Sequence, residues 1–138
     1  METIRERNSA IIPLFISYIE TNNITAFLDL FSHDGVQFNY FQCGMLPAEI
    51  RGKAALKEFW TPIPKKFSEM RFPIESIYPM LDPGLVAVKY RGYTRLKDSG
   101  NHYNNEYFAL FLFSEEGKIK EYHEYSNPVV TAKSFNMT

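Results

Sequence analysis

The sequence lacks most of the features that mark common active sites. Its 138 residues contain one cysteine, Cys43, so we expect no disulfide framework and no thiolate metal cluster. No two of its three histidines stand at metal-ligand spacing, which predicts no metal site. Neither a Gly-rich phosphate loop nor a Gly-x-Ser-x-Gly elbow is present. We therefore expect no cofactor and no covalent catalysis.

Charge and hydropathy argue against two classes of partner. The net charge is −1 and the lysines are interspersed, so no basic stripe exists for a phosphate backbone. No stretch approaches the ~20 apolar residues of a membrane span. The first seven residues carry charge where a signal peptide needs an apolar run. We expect a cytoplasmic protein that binds neither nucleic acid nor membrane.

What the sequence does have is aromatic side chains. Twelve Phe, nine Tyr and one Trp make up 16% of the chain, within an otherwise ordinary balance of 45% hydrophobic and 22% charged residues. The length predicts one domain over residues 1–138. Aromatic side chains fill a core, and they also line pockets for flat or apolar ligands.

Helical patterns come first along the chain. Apolar residues recur at helical spacing up to a polar break at residues 21–23, although Pro13 predicts a kink or a later start. Asn23 can cap a second helix, which residues 32–35 would end as a turn. A first strand follows over residues 36–40. A third helix is predicted over residues 53–60.

Strand patterns follow from Met70 onward: one includes residues 72–78, and three more cover residues 85–96, 103–113 and 118–126. Asp-Pro-Gly, Asp-Ser-Gly and Ser-Glu-Glu-Gly turns separate them. Helices followed by hairpins predict an α+β fold in which the N-terminal helices pack on a curved, mainly antiparallel sheet. In the strand that begins at Tyr103, Phe108 lies on one face and Phe111 on the other, so both faces are apolar. We expect a second copy to cover the outer face, giving a homodimer joined through its sheets.

The last strand carries the candidate acid or base. Regular alternation places His123 on the inner face with Ile119 and leaves Glu124 outside, unless a β-bulge intervenes. A buried glutamate would have its pKa raised into the range useful for proton transfer. The alternative is a solvated charge, or an ion pair with Lys89, Arg91 or Arg95.

The neighbouring strand offers polar groups to the same region. Tyr103, Asn105 and Tyr107 share one face, where they can hold a ligand or stabilise an oxyanion. Cross-strand aromatic packing explains them equally well. Asp29, Asp34, Asp82 and Asp98 fall in helix or turn segments, so no aspartate pair is predicted for epoxide opening.

Several motifs together resemble a known family. They are Tyr-x-Asn-Glu-Tyr at 103–107, Phe-x-Phe at 111–113, Gly-Lys-Ile at 117–119 and Glu-Tyr-His-Glu-Tyr-Ser-Asn-Pro at 121–128. The chain resembles the SnoaL-like, ketosteroid-isomerase-related branch of the nuclear-transport-factor-2-like superfamily. This resemblance implies a cone-shaped α+β half-barrel, a deep apolar pocket between helices and sheet, no metal or organic cofactor, and a dimer. The superfamily includes isomerases, cyclases, epoxide hydrolases, dehydratases and proteins that only bind.

Within this branch the sequence is most similar to phenazine-biosynthesis proteins. Their pocket glutamate lies in a Glu-aromatic-x-Asn-Pro motif that matches residues 124–128, and Tyr103, Trp60 and Thr61 match as well. Lys57 stands where those proteins carry a histidine. The resemblance implies that Glu124 lies in the pocket and favours the bulge. We predict ligand contacts from Tyr103, Trp60, Thr61, Lys57, Tyr107 and Tyr40, with His123 as the alternative acid or base.

These observations predict a cofactor-free enzyme that uses a pocket carboxylate for proton transfer on a cyclic, largely apolar or aromatic small molecule. Isomerisation, cyclisation and phenazine-type condensation all fit that chemistry. A non-catalytic binding protein of the same fold is the alternative. Epoxide hydrolysis is a further one.

Overall fold

The computed structural model describes residues 1–137, which form four α-helices and a seven-stranded sheet. The helices are α1 (Ile4–Glu20), α2 (Ile24–Asp29), α3 (Lys53–Trp60) and α4 (Pro128–Ser134), with a 3-10 helix over Ile63–Lys66. The strands are β1 (Phe31–Asn39), β2 (Glu49–Arg51), β3 (Phe67–Arg71), β4 (Ile74–Pro79), β5 (Leu85–Leu96), β6 (His102–Phe113) and β7 (Ile119–Ser126).

Local hydrogen bonds explain where the first two helices begin. Thr3 Oγ1 accepts from the Glu6 amide at 3.1 Å, and Glu6 Oε1 accepts from the Thr3 amide at 3.2 Å, which is a capping box. The helix α1 then continues through Pro13, so its start is not delayed. Asn23 Oδ1 caps α2 by accepting from the Ala26 amide at 3.2 Å, as the sequence predicted.

The sheet is curved, unclosed and mainly antiparallel. Its order is β2-β1-β7-β6-β5-β3, and β4 also pairs with β5. The pairing of β1 with β7 is parallel, while the other pairs are antiparallel. The helices α1 and α2 pack on one face through Phe15, whose ring centroid lies 4.9 Å from Phe27, 5.0 Å from Phe111 and 4.8 Å from Tyr122. The predicted α+β architecture is confirmed.

One local prediction is wrong, and some short elements were not predicted. Residues 32–35 do not form a turn; they belong to β1, whose register against β7 shifts between Phe31 and Val36. The segment stays in the sheet because β7 pairs with β1 on both sides of the irregularity. Sequence patterns also missed β2, which is three residues long, and α4. The Asn-Pro pair had signalled α4, since Asn127 Oδ1 caps the Val129 amide at 2.9 Å and Pro128 occupies the first helical position.

A β-bulge in β7 sets which residues face the helices. Leu112 pairs with Glu121 and Phe113 pairs with Ile119, so Lys120 is an extra residue in the ladder. Ile119 and Tyr122 are consequently both buried on the inner face. Glu124 follows Tyr122 on that face, while His123 points the other way. The bulge that the family resemblance favoured is therefore present.

The side chain of Asn105 joins α4 to the sheet. Its Nδ2 donates to the Asn127 carbonyl at 3.2 Å and to the Tyr103 hydroxyl at 3.1 Å, and its Oδ1 accepts from the Asn127 amide at 3.2 Å and from the Glu106 amide at 2.8 Å. The Tyr103 hydroxyl also contacts Thr131 Oγ1 on α4 at 3.0 Å. Asn105 is buried, so truncation of its side chain would leave several hydrogen-bonding groups of Tyr103, Glu106 and Asn127 without this partner.

We expect Asn105→Ala to lower the free energy of unfolding by about 2–3 kcal/mol, since buried partners lose their hydrogen bonds. Urea unfolding measures the loss, and amide hydrogen exchange should show α4 opening before the sheet. Glu106→Ala on the same strand is the control, because its exposed ion pair with Arg91 contributes less than about 1 kcal/mol. Equal effects of the two substitutions would contradict the role given to Asn105.

Candidate active site

A cavity of about 630 Å³ lies between the helices and the inner face of the sheet. We call it the main cavity. Its volume suits a drug-sized organic molecule. Most of its wall is apolar or aromatic: Ile16, Ile19, Trp60, Met70, Phe72, Tyr90, Tyr107 and Tyr122. Glu49, Arg51, Glu58 and Lys66 also line it, and Arg51 Nε is paired with Glu49 Oε2 at 2.7 Å.

Glu124 brings a carboxyl group into this aromatic surrounding. The half-buried side chain has no hydrogen bond to another group within residues 1–137. Burial raises the pKa of Glu124 to about 7, because the apolar wall disfavours the charged form. A carboxyl group with that pKa is present in both protonation states near neutral pH.

The alternative of an ion pair to Glu124 is not observed. Lys89 Nζ lies 3.5 Å and Arg91 Nε lies 2.6 Å from the carboxylate of Glu75. Arg95 Nε donates to the Gly100 carbonyl at 3.1 Å. All three cations therefore have other partners, and burial is the cause of the raised pKa of Glu124.

Two tyrosine hydroxyls meet inside the main cavity. The hydroxyl oxygens of Tyr90 and Tyr122 are 3.0 Å apart, and the Tyr90 ring stacks on Tyr107 with a centroid distance of 4.8 Å. Burial, followed by the charge of Glu124, raises the pKa of Tyr90 and of Tyr122 well above the ordinary value, so both stay protonated. Their mutual hydrogen bond uses one proton. The second proton remains to be donated to an oxygen atom of a ligand.

A buried polar chain orients Trp60 in the wall. Trp60 Nε1 donates to Gln37 Oε1 at 2.7 Å, Gln37 Nε2 donates to Asn39 Oδ1 at 2.9 Å, and Asn39 Nδ2 donates to the Pro47 carbonyl at 2.9 Å. Sequence reasoning missed Gln37 and Asn39, because polar residues that alternate with apolar ones in a strand usually face solvent. Here the polar residues face inward and Phe38 lies on the outer face.

The predicted site residues divide into two groups. Glu124, Tyr103, Trp60 and Tyr107 all line the main cavity.

Lys57, Thr61 and Tyr40 do not lie in the wall of the main cavity. Lys57 and Thr61 are exposed at the end of α3, where Thr61 Oγ1 donates to the Lys57 carbonyl at 2.6 Å. The Tyr40 ring stacks on Tyr125 on the outer face, at a centroid distance of 4.4 Å.

His123 lies on the outer face of the sheet and not in the main cavity. Its Nδ1 is 2.9 Å from the Tyr40 hydroxyl, and its Nε2 is 2.8 Å from Glu121 Oε1. The imidazole also stacks on Phe38, with ring centroids 4.6 Å apart. The alternative acid or base is therefore separated from the main cavity by the sheet itself, as the bulge at Lys120 requires.

Residues 1–137 contain neither a candidate metal centre nor a helix that could cross a membrane. No group of three His, Cys, Asp or Glu side chains is placed to hold a metal ion in that part of the chain. None of the helices described there combines the length and hydropathy needed to cross a membrane.

The raised pKa of Glu124 predicts how stability depends on pH. The unfolded chain loses this proton near pH 4.5, whereas the folded chain holds it to about pH 7, so ionisation disfavours folding as the pH rises through that window. We expect Glu124→Gln to gain stability relative to the wild type between pH 4.5 and pH 8, by about 3 kcal/mol at most. Urea unfolding of both proteins at pH 5 and pH 8 measures this gain. A stability difference independent of pH would show that Glu124 ionises normally.

Comparison with known proteins adds relatives of the same fold. A curated relative, the YesE protein of Bacillus subtilis, is 25% identical over 122 residues, which cover 88% of this chain and 82% of YesE. A Bacillus subtilis crystal structure described as a candidate isomerase superposes with a TM-score of 0.90 at 20% identity, covering 99% of this chain and 97% of that one.

Two further solved structures share the fold. A phenazine biosynthesis-related protein of Pseudomonas aeruginosa has a TM-score of 0.80 at 21% identity, covering 96% of this chain and 87% of its own. A Mycobacterium tuberculosis protein, Rv0760c, in complex with estradiol-17β-hemisuccinate has a TM-score of 0.75 at 17% identity, covering 89% and 96%. The SnoaL-like domain family matches residues 14–122. The chain belongs to the SnoaL-like domain family, within the superfamily that its motifs had indicated.

Proposed function

We propose that this protein is a cofactor-free enzyme in which Glu124 moves a proton next to a carbonyl or imine group of a cyclic, largely apolar ligand. The observation that carries the proposal is the placement of the Glu124 carboxyl group, with a pKa raised to about 7, in a largely aromatic cavity of about 630 Å³. A base of that strength is matched to proton transfer at neutral pH.

The geometry supplies a role for each neighbour of Glu124. The ionised carboxylate takes a proton from the carbon beside the carbonyl, and the electron pair of that C–H bond moves to the carbonyl oxygen. The hydroxyl pair of Tyr90 and Tyr122 donates to the oxygen as its charge develops. Glu124 then returns the proton to a different carbon, which completes an isomerisation. Trp60, held by Gln37, packs against the ligand ring.

The relatives support this class of ligand and reaction. One structural neighbour is described as a candidate isomerase, and another holds a steroid ester. Phenazine-type condensation receives less support, because Lys57 replaces the histidine of those proteins and faces solvent. Epoxide opening is supported least, since no aspartate of the described residues lines the main cavity. The cytoplasmic location stays a prediction.

Proton abstraction is testable without knowing the natural substrate. We expect the wild-type protein in D2O to exchange the hydrogens beside the carbonyl of cyclic ketones such as 2-tetralone and estrone, followed by proton NMR. The rate should rise with pH through about 7, because the ionised form of Glu124 is the base. Glu124→Gln should lower it by a factor of about 100 or more.

Two variants separate this mechanism from binding alone. Glu115→Gln makes the same chemical change on an exposed turn and should leave the exchange rate unaltered. Tyr122→Phe should slow exchange while ligand-induced thermal shifts persist, because its hydroxyl stabilises the oxyanion. Thermal shifts without any exchange would identify a non-catalytic binding protein, in which Glu124→Gln weakens binding and no ligand is consumed.

We also propose that the protein forms a homodimer through the outer face of its sheet. This face exposes a row of aromatic side chains: Tyr40, Tyr93, Phe108 and Tyr125 are 36%, 37%, 45% and 37% exposed. In the strand pairing Phe108 lies beside Tyr125, whose ring stacks on Tyr40, whereas Tyr93 lies beside Asn104 farther along the face. Apolar surface of this kind is stabilised when it is covered, and a two-fold axis lets two copies cover each other.

Phe108→Glu should convert the dimer to a monomer, because the substitution places a charge in the centre of the interface. Sedimentation velocity of the wild-type protein and of the variant measures the change. Leu81→Glu is the control, since Leu81 is 95% exposed in the turn between β4 and β5, away from the aromatic row. A monomeric wild-type protein would contradict the proposal.

A further inference from the structure

A second, much smaller cavity adjoins Glu124. Its volume is about 30 Å³, and it is enclosed by the ends of β1 and β7, by α4 and by the segment that follows β1. We call it the small cavity. Glu124 lines both cavities and thus stands between them. A site of more than about 10–15 Å³ accommodates one water molecule if two or more polar groups are within reach.

Polar residues with hydrogen-bonding capacity to spare line the small cavity. Ser126 and Gln42 both line it, and neither side chain has a hydrogen-bond partner within residues 1–137. The carboxyl group of Glu124 is likewise without one in that part of the chain. The other polar side chains are already engaged: Asn39 bonds Gln37 and the Pro47 carbonyl, and the hydroxyl of Tyr40, which also lines the small cavity, bonds His123 Nδ1.

Thr131 and Tyr103, which also line the small cavity, bond each other at 3.0 Å. The unused groups therefore belong to Ser126, Gln42 and Glu124, and three polar groups are the usual complement of a buried water.

We propose that the small cavity binds a water molecule among Glu124, Ser126 and Gln42, and that this water exchanges the proton of Glu124 with solvent while a ligand fills the main cavity. The inference rests on the proposed role of Glu124 as the base. Its basis is the position of Glu124 between a ligand-sized cavity and a water-sized one. Water on that side is behind the carboxyl group, where it contacts the base and not the ligand.

The exchange step balances without any co-reactant. Once Glu124 has taken a proton from the ligand, it donates that proton to the water, and the water returns a solvent proton to the same carboxylate. The charge of the site is unchanged. In D2O the result is that Glu124 delivers deuterium, and not the original proton, to the product.

Substitutions at Ser126 separate the space in the small cavity from its hydrogen bonds. Ser126→Val replaces the hydroxyl group with two methyl groups, which fill the space and suit a strand. Ser126→Ala removes the hydroxyl but leaves the space, so Glu124 and Gln42 still hold the water. Crystal structures should show an ordered water beside Glu124 in the wild type and in Ser126→Ala, and none in Ser126→Val. Gln42→Leu tests the opposite wall, should Ser126→Val fail to fold. An empty small cavity in the wild type overturns the proposal whether or not the protein is an enzyme.

The proton route is tested with 3-cyclohexen-1-one, a cyclic ketone whose isomerisation moves one proton, in D2O. The wild type and Ser126→Ala should form product that carries deuterium at the reprotonated carbon. Ser126→Val should form product with a severalfold lower deuterium content. Equal deuterium content in all three proteins overturns the route even if the water is seen. Absence of isomerisation and of ketone exchange in the wild type overturns the proposed function and the route with it, while the crystal structures still decide the water site.

Discussion

The bulge at Lys120 is the constraint on which the candidate site depends. A regular strand would place Ile119 and His123 on one face and Tyr122 and Glu124 on the other. The single extra residue lets Ile119 and Tyr122 both enter the core, and Glu124 then follows Tyr122 toward the helices. The same geometry turns His123 outward. A register feature several residues away therefore selects which of two adjacent titratable groups reaches the main cavity.

Once Glu124 is turned inward, the aromatic composition of the chain determines its chemistry. Phe15, Phe27 and Phe111 fill one part of the space beneath α1, whereas the ring of Tyr122 carries its hydroxyl to the edge of the main cavity. The carboxyl group thus lies among aromatic rings and forms no ion pair with any cation of residues 1–137. An ion pair would have stabilised the charged form and lowered the pKa. No such ion pair is found within residues 1–137, so the pKa of the carboxyl group stays high. The cost is a loss of stability as the pH rises from about 4.5 to about 7.

The sequence predicted the larger elements well and the irregular ones poorly. Hairpin turns and long apolar strands delimited β5 and β6 to within a residue, and α3 was predicted at its observed bounds. Periodicity failed at Ser32–Gly35 and Lys120, because a bulge is set by pairing with another strand and leaves no local pattern. Glu124 was identified through the family motif, since alternation alone favoured His123. Lys57 and Thr61 were predicted as ligand contacts from the resemblance of α3 to the third helix of the phenazine-biosynthesis proteins. Position in that helix does not reveal that both side chains face solvent.

The inward orientation of Asn39 in β1 and of Glu124 in β7 has one origin, the pairing of these two strands. In the parallel pairing of β1 with β7, Asn39 stands beside Glu124 and Phe38 stands beside His123. At the ends of these two strands, polar side chains consequently point toward the helices and aromatic ones point outward. Elsewhere in the same strands, Phe31, Ile119 and Tyr122 face inward and pack in the core. The inner polar groups are tolerated because Gln37 and Asn39 satisfy each other and Glu124 borders open space. The Tyr40 and Tyr125 rings are left exposed on the outer face. The carboxyl group in the main cavity and the aromatic outer surface, on which the proposed proton transfer and the proposed homodimer depend, thus follow from the same arrangement of two neighbouring strand ends.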